Sequence, residues 1–194
     1  DLRLMTTLAS SMSVALESAR LFDETETRAA ELAIINSVQQ GLASKLEMQA
    51  IFDLVGEKLR ELFERQAISL ITFDLKADTS HYKYFFEKGR RLEVPDASIT
   101  PLGRHIIDSR QILLINDHLV ENLAAIGVEL NILAGTESPK SMLRVPILIG
   151  GEVYGLIGLS NLDHENAFSA SDVRLLQTLA DSVSVAIESA RLFE

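Results

Sequence analysis

The chain contains no cysteine. That absence removes disulfides, thiolate metal ligands, thiol nucleophiles and thioether-linked chromophores together. Basic residues are in deficit. Eighteen Lys and Arg stand against 28 Asp and Glu, a formal net charge of -10 at pH 7. Such a chain repels phosphate, so neither nucleic acid nor an anionic membrane surface is expected as a partner. No apolar run approaches the ~18 residues of a membrane span, and the opening residues do not read as a signal peptide. What is present is ordinary for a folded protein: 194 residues, 47% hydrophobic and 24% charged. That length suits one full core and part of another. The first residue is Asp1, already inside a helical pattern. The expectation is a soluble cytoplasmic piece of a longer protein.

The ends repeat each other. The opening DLRLMTTLASSMSVALESARLFD aligns with the closing DVRLLQTLADSVSVAIESARLFE at an offset of 171 residues, and 16 of the 23 aligned positions are identical. The expected organisation is the last helix of one unit and a connecting helix over 1–44, then a second, complete unit over 45–194. In the closing helix, Val173, Leu176, Ala180, Val183, Ile187 and Ala190 step by three and four. That is a heptad seam. Leu2, Met5, Ala9, Met12, Leu16 and Ala19 repeat it near the start. A homodimer through both terminal helices is therefore expected, with Met5, Met12, Leu16, Val183, Ile187 and Ala190 at the contact. No Gly or Pro interrupts the opening segment before Gly41. Ser169 and Asp172 supply start chemistry for the last helix, with Phe168 and Val173 at the staple positions.

Between the ends, Ser44 to Glu47 forms a capping box ahead of an amphipathic helix through Phe63. Residues 67–75 and 81–88 alternate as strands, with a short third strand near 91–94. Short helices are expected over 102–110 and 118–127, a short strand over 112–116 and a loop over 134–141. Residues 141–149 and 152–161, joined by Gly150-Gly151, make the strongest hairpin signal in the chain. Antiparallel strands with helices at both ends indicate an α+β fold.

These residues resemble the GAF domain family. The resemblance rests on Ile115-Asn116-Asp117 after a short strand, Ser141-x-Leu143-x-Val145-Pro146 on the next, Gly151 in the turn, and Gly155-x-x-Gly158 with Asn161 on the last strand. It continues through Phe168-Ser169-x-x-Asp172 into the terminal helix. It implies a six-stranded antiparallel sheet flanked by helices, long terminal signalling helices, dimer contacts on one face and a small-molecule pocket on the other. It also implies neighbouring GAF and output domains in the same chain, such as a histidine kinase or cyclase. Cyclic-nucleotide-binding members carry a Lys and a Glu where this chain has Leu162 and Val173, so cyclic nucleotides are not expected. Bilin attachment and methionine-sulfoxide reduction in the family need cysteine. No cofactor is expected, although an unidentified small molecule would suit the pocket.

Candidate pocket residues are Phe73, Phe85, Arg104, Asn116, Asp117, Ser141, Arg144 and Ser160. Arg144 interrupts an apolar strand and shares a face with Met142 and Pro146, opposite Leu143, Val145 and Ile147. On the pocket face it would clamp an anion; on a solvent face it would be an ordinary exposed Arg. Asn116 and Asp117 at a strand end equally suit turn chemistry. Gly155 and Gly158 either let a helix approach or make room for a ligand, and helix packing is the expected use. His81, His105, His118 and His164 share no ligand spacing, so no metal site is assigned. No nucleophile with a paired base is readable. The expected function is a non-catalytic sensory or regulatory module that binds a small molecule and dimerises. The alternative is a degenerate domain that binds nothing and spaces a dimer.

Overall fold

A computed structural model describes residues 48–191 of the chain. Met5, Met12, Leu16, the helices expected over 1–44 and the boundary between the two units lie outside the described residues. Helix α1 (Met48–Leu62) is followed by strands β1 (Ala67–Asp74) and β2 (Thr79–Glu87) and the two-residue β3 (Arg90–Arg91) and β4 (Ala97–Ser98). Then come α2 (Pro101–Ser109), β5 (Leu113–Ile115), α3 (Leu119–Ala125), β6 (Ser141–Ile149), β7 (Glu152–Asn161) and α4 (Ala170–Arg191). The described strands form one antiparallel sheet in the order β3-β2-β1-β7-β6-β5, with β4 also paired to β2. The sheet is six strands wide. A seventh strand, absent from the expectation, arises because both β3 and β4 sit along the outer edge of β2. Pro95, between them, has no N–H to continue a ladder.

The hairpin β6–β7 closes on Ile149 opposite Glu152, and Gly150 and Gly151 have φ of 59° and 81°. Two left-handed residues are what a two-residue turn of this twist needs. Alternation then makes the sheet two-faced. Ile68, Leu70, Tyr84, Leu143, Val145, Ile147, Ile157 and Leu159 face α1 and α4 in the main core. The other face packs α2 through Phe73, Ile106 and Leu156, and α3 through Leu119, Leu123 and Met142.

Helix α4 starts with a reciprocal cap. The Ser169 N–H donates to Asp172 Oδ2 (2.7 Å) and the Asp172 N–H donates to Ser169 Oγ (3.2 Å). Phe168 is buried in the core and Val173 packs against it from the first turn. The expected seam needs correction. Val183 and Ile187 are 0% exposed in the chain's own core, with Leu176 and Ala180 beside them. Ala190 is half-buried against the same cluster. A three-four stripe fits a sheet as well as a partner helix, and here Leu143, Val145 and Ile147 of β6 cover it. The side of α4 left to solvent carries Arg174, Gln177, Asp181, Val185, Glu188 and Arg191. Val185 is its one large exposed hydrophobic among the described residues.

Candidate ligand-binding site

Helices α2 and α3 cover the two ends of the second sheet face and leave its middle open. A connection over 126–140, with no helix or strand of its own, crosses that gap as a strap. Beneath the strap lies a cavity of about 120 Å³. Its floor is Ser69, Ile71 and Phe73 of β1, Tyr82, Phe85 and Glu87 of β2, Met142 and Arg144 of β6, and Leu156 and Ser160 of β7. Leu130, Ile132, Leu133 and Glu137 of the strap, with Leu102 and Leu123, form the roof and sides. One water needs roughly 10–15 Å³ of such space, so the cavity has room for roughly ten heavy atoms.

Arg144 dominates the floor. Its Nη1 donates to the carbonyls of Leu143 (3.0 Å) and Leu159 (2.6 Å), and its Nη2 donates to Ser160 Oγ (2.9 Å). A guanidinium has five N–H groups, so two stay free for a ligand. No carboxylate pairs with it among the described residues, whereas six other Lys and Arg side chains there do have acid partners. Burial pulls its pKa down to about 10, with Tyr82 opposing the shift. Burial also raises the Tyr82 phenol, against the pull of Arg144. A half-buried arginine held by neutral acceptors is poised for an anion.

The side chain fits because Gly158 lies beneath it. A Cβ at Gly158 would sit 2.4 Å from Ser69 Oγ and 3.1 Å from both Cδ and Nη1 of Arg144. A Cβ at Gly155 would meet the Ile71 carbonyl oxygen at 2.2 Å, where β1 and β2 slip register. Neither glycine admits a helix, contrary to expectation; one makes room for Arg144 and the other for the backbone of β1.

Of the eight expected pocket residues, Phe73, Phe85, Arg144 and Ser160 line the cavity. The other four lie elsewhere. Arg104 is exposed on α2 and ion-paired with Asp78. Asn116 ties β5 to the start of α4: its Nδ2 donates to the Phe168 carbonyl (2.7 Å) and its Oδ1 accepts the Phe168 N–H (3.2 Å). Asp117 is exposed, with its carbonyl accepting from Asn122 Nδ2 (2.8 Å). Ser141 is buried and donates to the His164 carbonyl (3.0 Å). Asn161 accepts the N–H groups of Asp163 (2.9 Å) and His164 (2.6 Å), so it shapes the turn after β7. Leu162, standing where cyclic-nucleotide binders carry Lys, lines the cavity.

Glu87, Tyr82 and Ser69 line the site and were not expected there. Simple alternation along β2 puts Tyr82, Tyr84 and Phe86 on one face. A bulge at Lys83, between Tyr82 opposite Ile71 and Tyr84 opposite Leu70, turns Tyr82, Phe85 and Glu87 to the cavity instead. Among the histidines, His81 Nδ1 lies 2.7 Å from Asp96 Oδ2 at the surface, and His118 caps α3 by backbone alone. Among the described residues, no group of three or more His, Asp or Glu is placed to hold a metal.

A two-faced antiparallel sheet, helices on one side and a strapped cavity on the other, is an α+β domain with an internal small-molecule-sized site. Residues 47–187 match the GAF domain. The chain belongs to the GAF domain family. Its sequence is 22% identical to the formate hydrogenlyase transcriptional activator FhlA of Escherichia coli over 166 residues, which is 83% of this chain and 24% of that protein. The chain thus spans about a quarter of that relative. Its fold is similar to residues 122 to 287 of a methyl-accepting chemotaxis protein, with TM-score 0.69 and 17% identity over 83% of this chain and 98% of the other. It is also similar to the free methionine-R-sulfoxide reductase of Neisseria meningitidis in complex with its substrate. There the TM-score is 0.65 and the identity 16%, over 84% of this chain and 92% of the other.

Proposed function

We propose that this chain is a non-catalytic sensory or regulatory module that binds a small anion on Arg144 and relays its presence to neighbouring domains. The observation that carries this is the unpaired guanidinium in a cavity of ligand size. FhlA, a transcriptional activator, and a chemotaxis protein both contain a domain of this kind, which supports a signalling role. The similar reductase is an enzyme, but the present chain has no cysteine with which to do thiol chemistry. The proposal includes a homodimer whose contact lies on the outer side of α4 around Val185, together with residues 1–44.

The test is thermal unfolding of the 194-residue chain with acetate, succinate, phosphate and sulfate, beside Arg144→Gln. A ligand that binds only the folded state adds about 2.7 kcal/mol at a hundred times its Kd. At least one anion is expected to raise the wild-type Tm saturably and to leave the variant unmoved. Equal responses in the two proteins, or none in the wild type, would remove Arg144 from the reading.

A further inference from the structure

The floor of the cavity carries a second charge of opposite sign. Glu87 is 6% exposed, lines the cavity and is not ion-paired among the described residues. Its Oε1 accepts the Glu137 N–H of the strap (3.1 Å). That single bond leaves most of a buried carboxylate's acceptor capacity open. Exposed Glu129 also lines the cavity, while exposed Glu137 is ion-paired with Lys88, so the negative charge of the lining is carried by Glu87 and Glu129 and the positive charge by Arg144.

The register fixes the spacing of the backbones that carry this floor. Ser160 pairs with Ala67, and one step beyond the recorded Ile68–Phe86 pair brings Ala67 opposite Glu87. Ser160, which holds the Arg144 guanidinium, is thus two strand spacings from Glu87, roughly 10 Å. Between them stands Ala67, whose methyl fills little of the space. An α-amino acid with a small apolar side chain has about six to nine heavy atoms, within the roughly ten that the cavity holds, and it carries one carboxylate for Arg144 and one ammonium for Glu87. A bare anion leaves Glu87 unanswered. Remaining walls are apolar: Phe73, Leu130, Leu133, Met142 and Leu156.

We infer that the cavity takes a free α-amino acid with a small apolar side chain, its carboxylate on Arg144 and its ammonium on Glu87. This rests on the reading of Arg144 as an anion clamp. The ammonium would meet the same carboxylate that holds the strap at Glu137, so occupancy and strap position are coupled.

Calorimetric titration of the 194-residue chain near pH 7.5 tests it. The probes are L-alanine, L-valine, L-leucine and L-methionine, each beside the same skeleton without its amine; for leucine that is 4-methylpentanoate. At least one amino acid is expected to bind ten times or more tighter than its deaminated partner. In Glu87→Gln that ratio should fall to about one, with the affinity for the deaminated acid kept. The amide oxygen still accepts the Glu137 N–H, so the strap contact survives, and circular dichroism verifies the fold. If deaminated acids bind as tightly as amino acids, or Glu87→Gln leaves the ratio unchanged, the amino-acid assignment is overturned while the anion clamp stands. If Arg144→Gln also leaves every affinity unchanged, the clamp falls with it.

Discussion

Replacing Gly158 by alanine tests the site without touching the ligand. The new methyl would sit 2.4 Å from Ser69 Oγ and 3.1 Å from Cδ and Nη1 of Arg144. The serine hydroxyl escapes by rotating about χ1. The arginine does not, because Nη1 is bonded to two carbonyls of the sheet. It must lift by a few tenths of an ångström and loosen the shorter of those bonds. Alanine in a strand gains about 0.5–1 kcal/mol over glycine, and overpacking costs about 1–3 kcal/mol. The net loss of stability is therefore about 0–2.5 kcal/mol. A misdirected guanidinium loses at least one charged hydrogen bond to the ligand, about 1.5–3 kcal/mol, which is a tenfold to hundredfold weaker Kd. Gly155→Ala is the contrast, since its methyl meets a backbone oxygen at 2.2 Å that cannot rotate away. Urea denaturation and calorimetry on both variants should separate them: Gly158→Ala weakens binding, and Gly155→Ala weakens the fold. A Gly158→Ala protein that binds the anion with wild-type affinity would refute the account of how Arg144 is held.

Three further outcomes are expected. Ile187→Ala should cost about 2–5 kcal/mol in urea denaturation because the side chain is fully buried in the core. Val185→Glu, at a 60% exposed site, should stay within about 0.5 kcal/mol, and a drop in light-scattering mass for Val185→Glu alone would locate the dimer contact on the outer side of α4. The folded pKa of Arg144 lies below its ordinary value, at about 10, because burial disfavours the charged form. Its cost to stability is fully present below about pH 10 and is relieved as pH rises from there toward the ordinary arginine value. Anion binding needs the charged form, so affinity for a carboxylate should hold from neutral pH to about 9 and fall through 10, as read by calorimetry. Cyclic AMP and cyclic GMP should produce no heat, since Leu162 lines the cavity in place of a lysine and the space holds roughly ten heavy atoms.

The parts legible in the sequence are those set by nearest neighbours. Gly150-Gly151 between two alternating runs can only be a hairpin turn, and Ser169 with Asp172 makes a cap wherever the helix ends up. Alternation also puts Arg144 opposite Leu143, Val145 and Ile147, whichever face proves to hold a cavity. What stayed hidden depends on a partner element. One extra residue at Lys83 reverses the parity of β2 after Tyr82, so a period-two count that puts Phe85 and Glu87 on the cavity face leaves Tyr82 off it. The stripe through Val183 and Ile187 has the same spacing whether a helix or a sheet covers it, and no local signal says which. In the sequence, Asn116 suits a cavity or a turn equally. Its real task, joining β5 to Phe168 across 52 residues of sequence, exists only after the chain has folded.

The position of Arg144 explains how a cavity on one side of the sheet could reach a helix on the other. It lies between Leu143 and Val145 on β6, and both neighbours are buried under α4. Its guanidinium is bonded to the Leu159 carbonyl of β7, so an anion that draws it into the cavity pulls on both strands of the hairpin. Packed cores do not yield continuously, since their side chains sit in discrete rotamers at near-crystalline density. A shift of β6 would therefore be answered by α4 as a body, at Leu143, Val145 and Ile147 against Val183 and Ile187. The exposed side of α4 would then move relative to anything bound there. In the proposed sensor the buried stripe would be the transmission surface and the outer side of the helix the readout. A sensor that placed its dimer seam on Val183 and Ile187 would have no such contact between sheet and helix to work with.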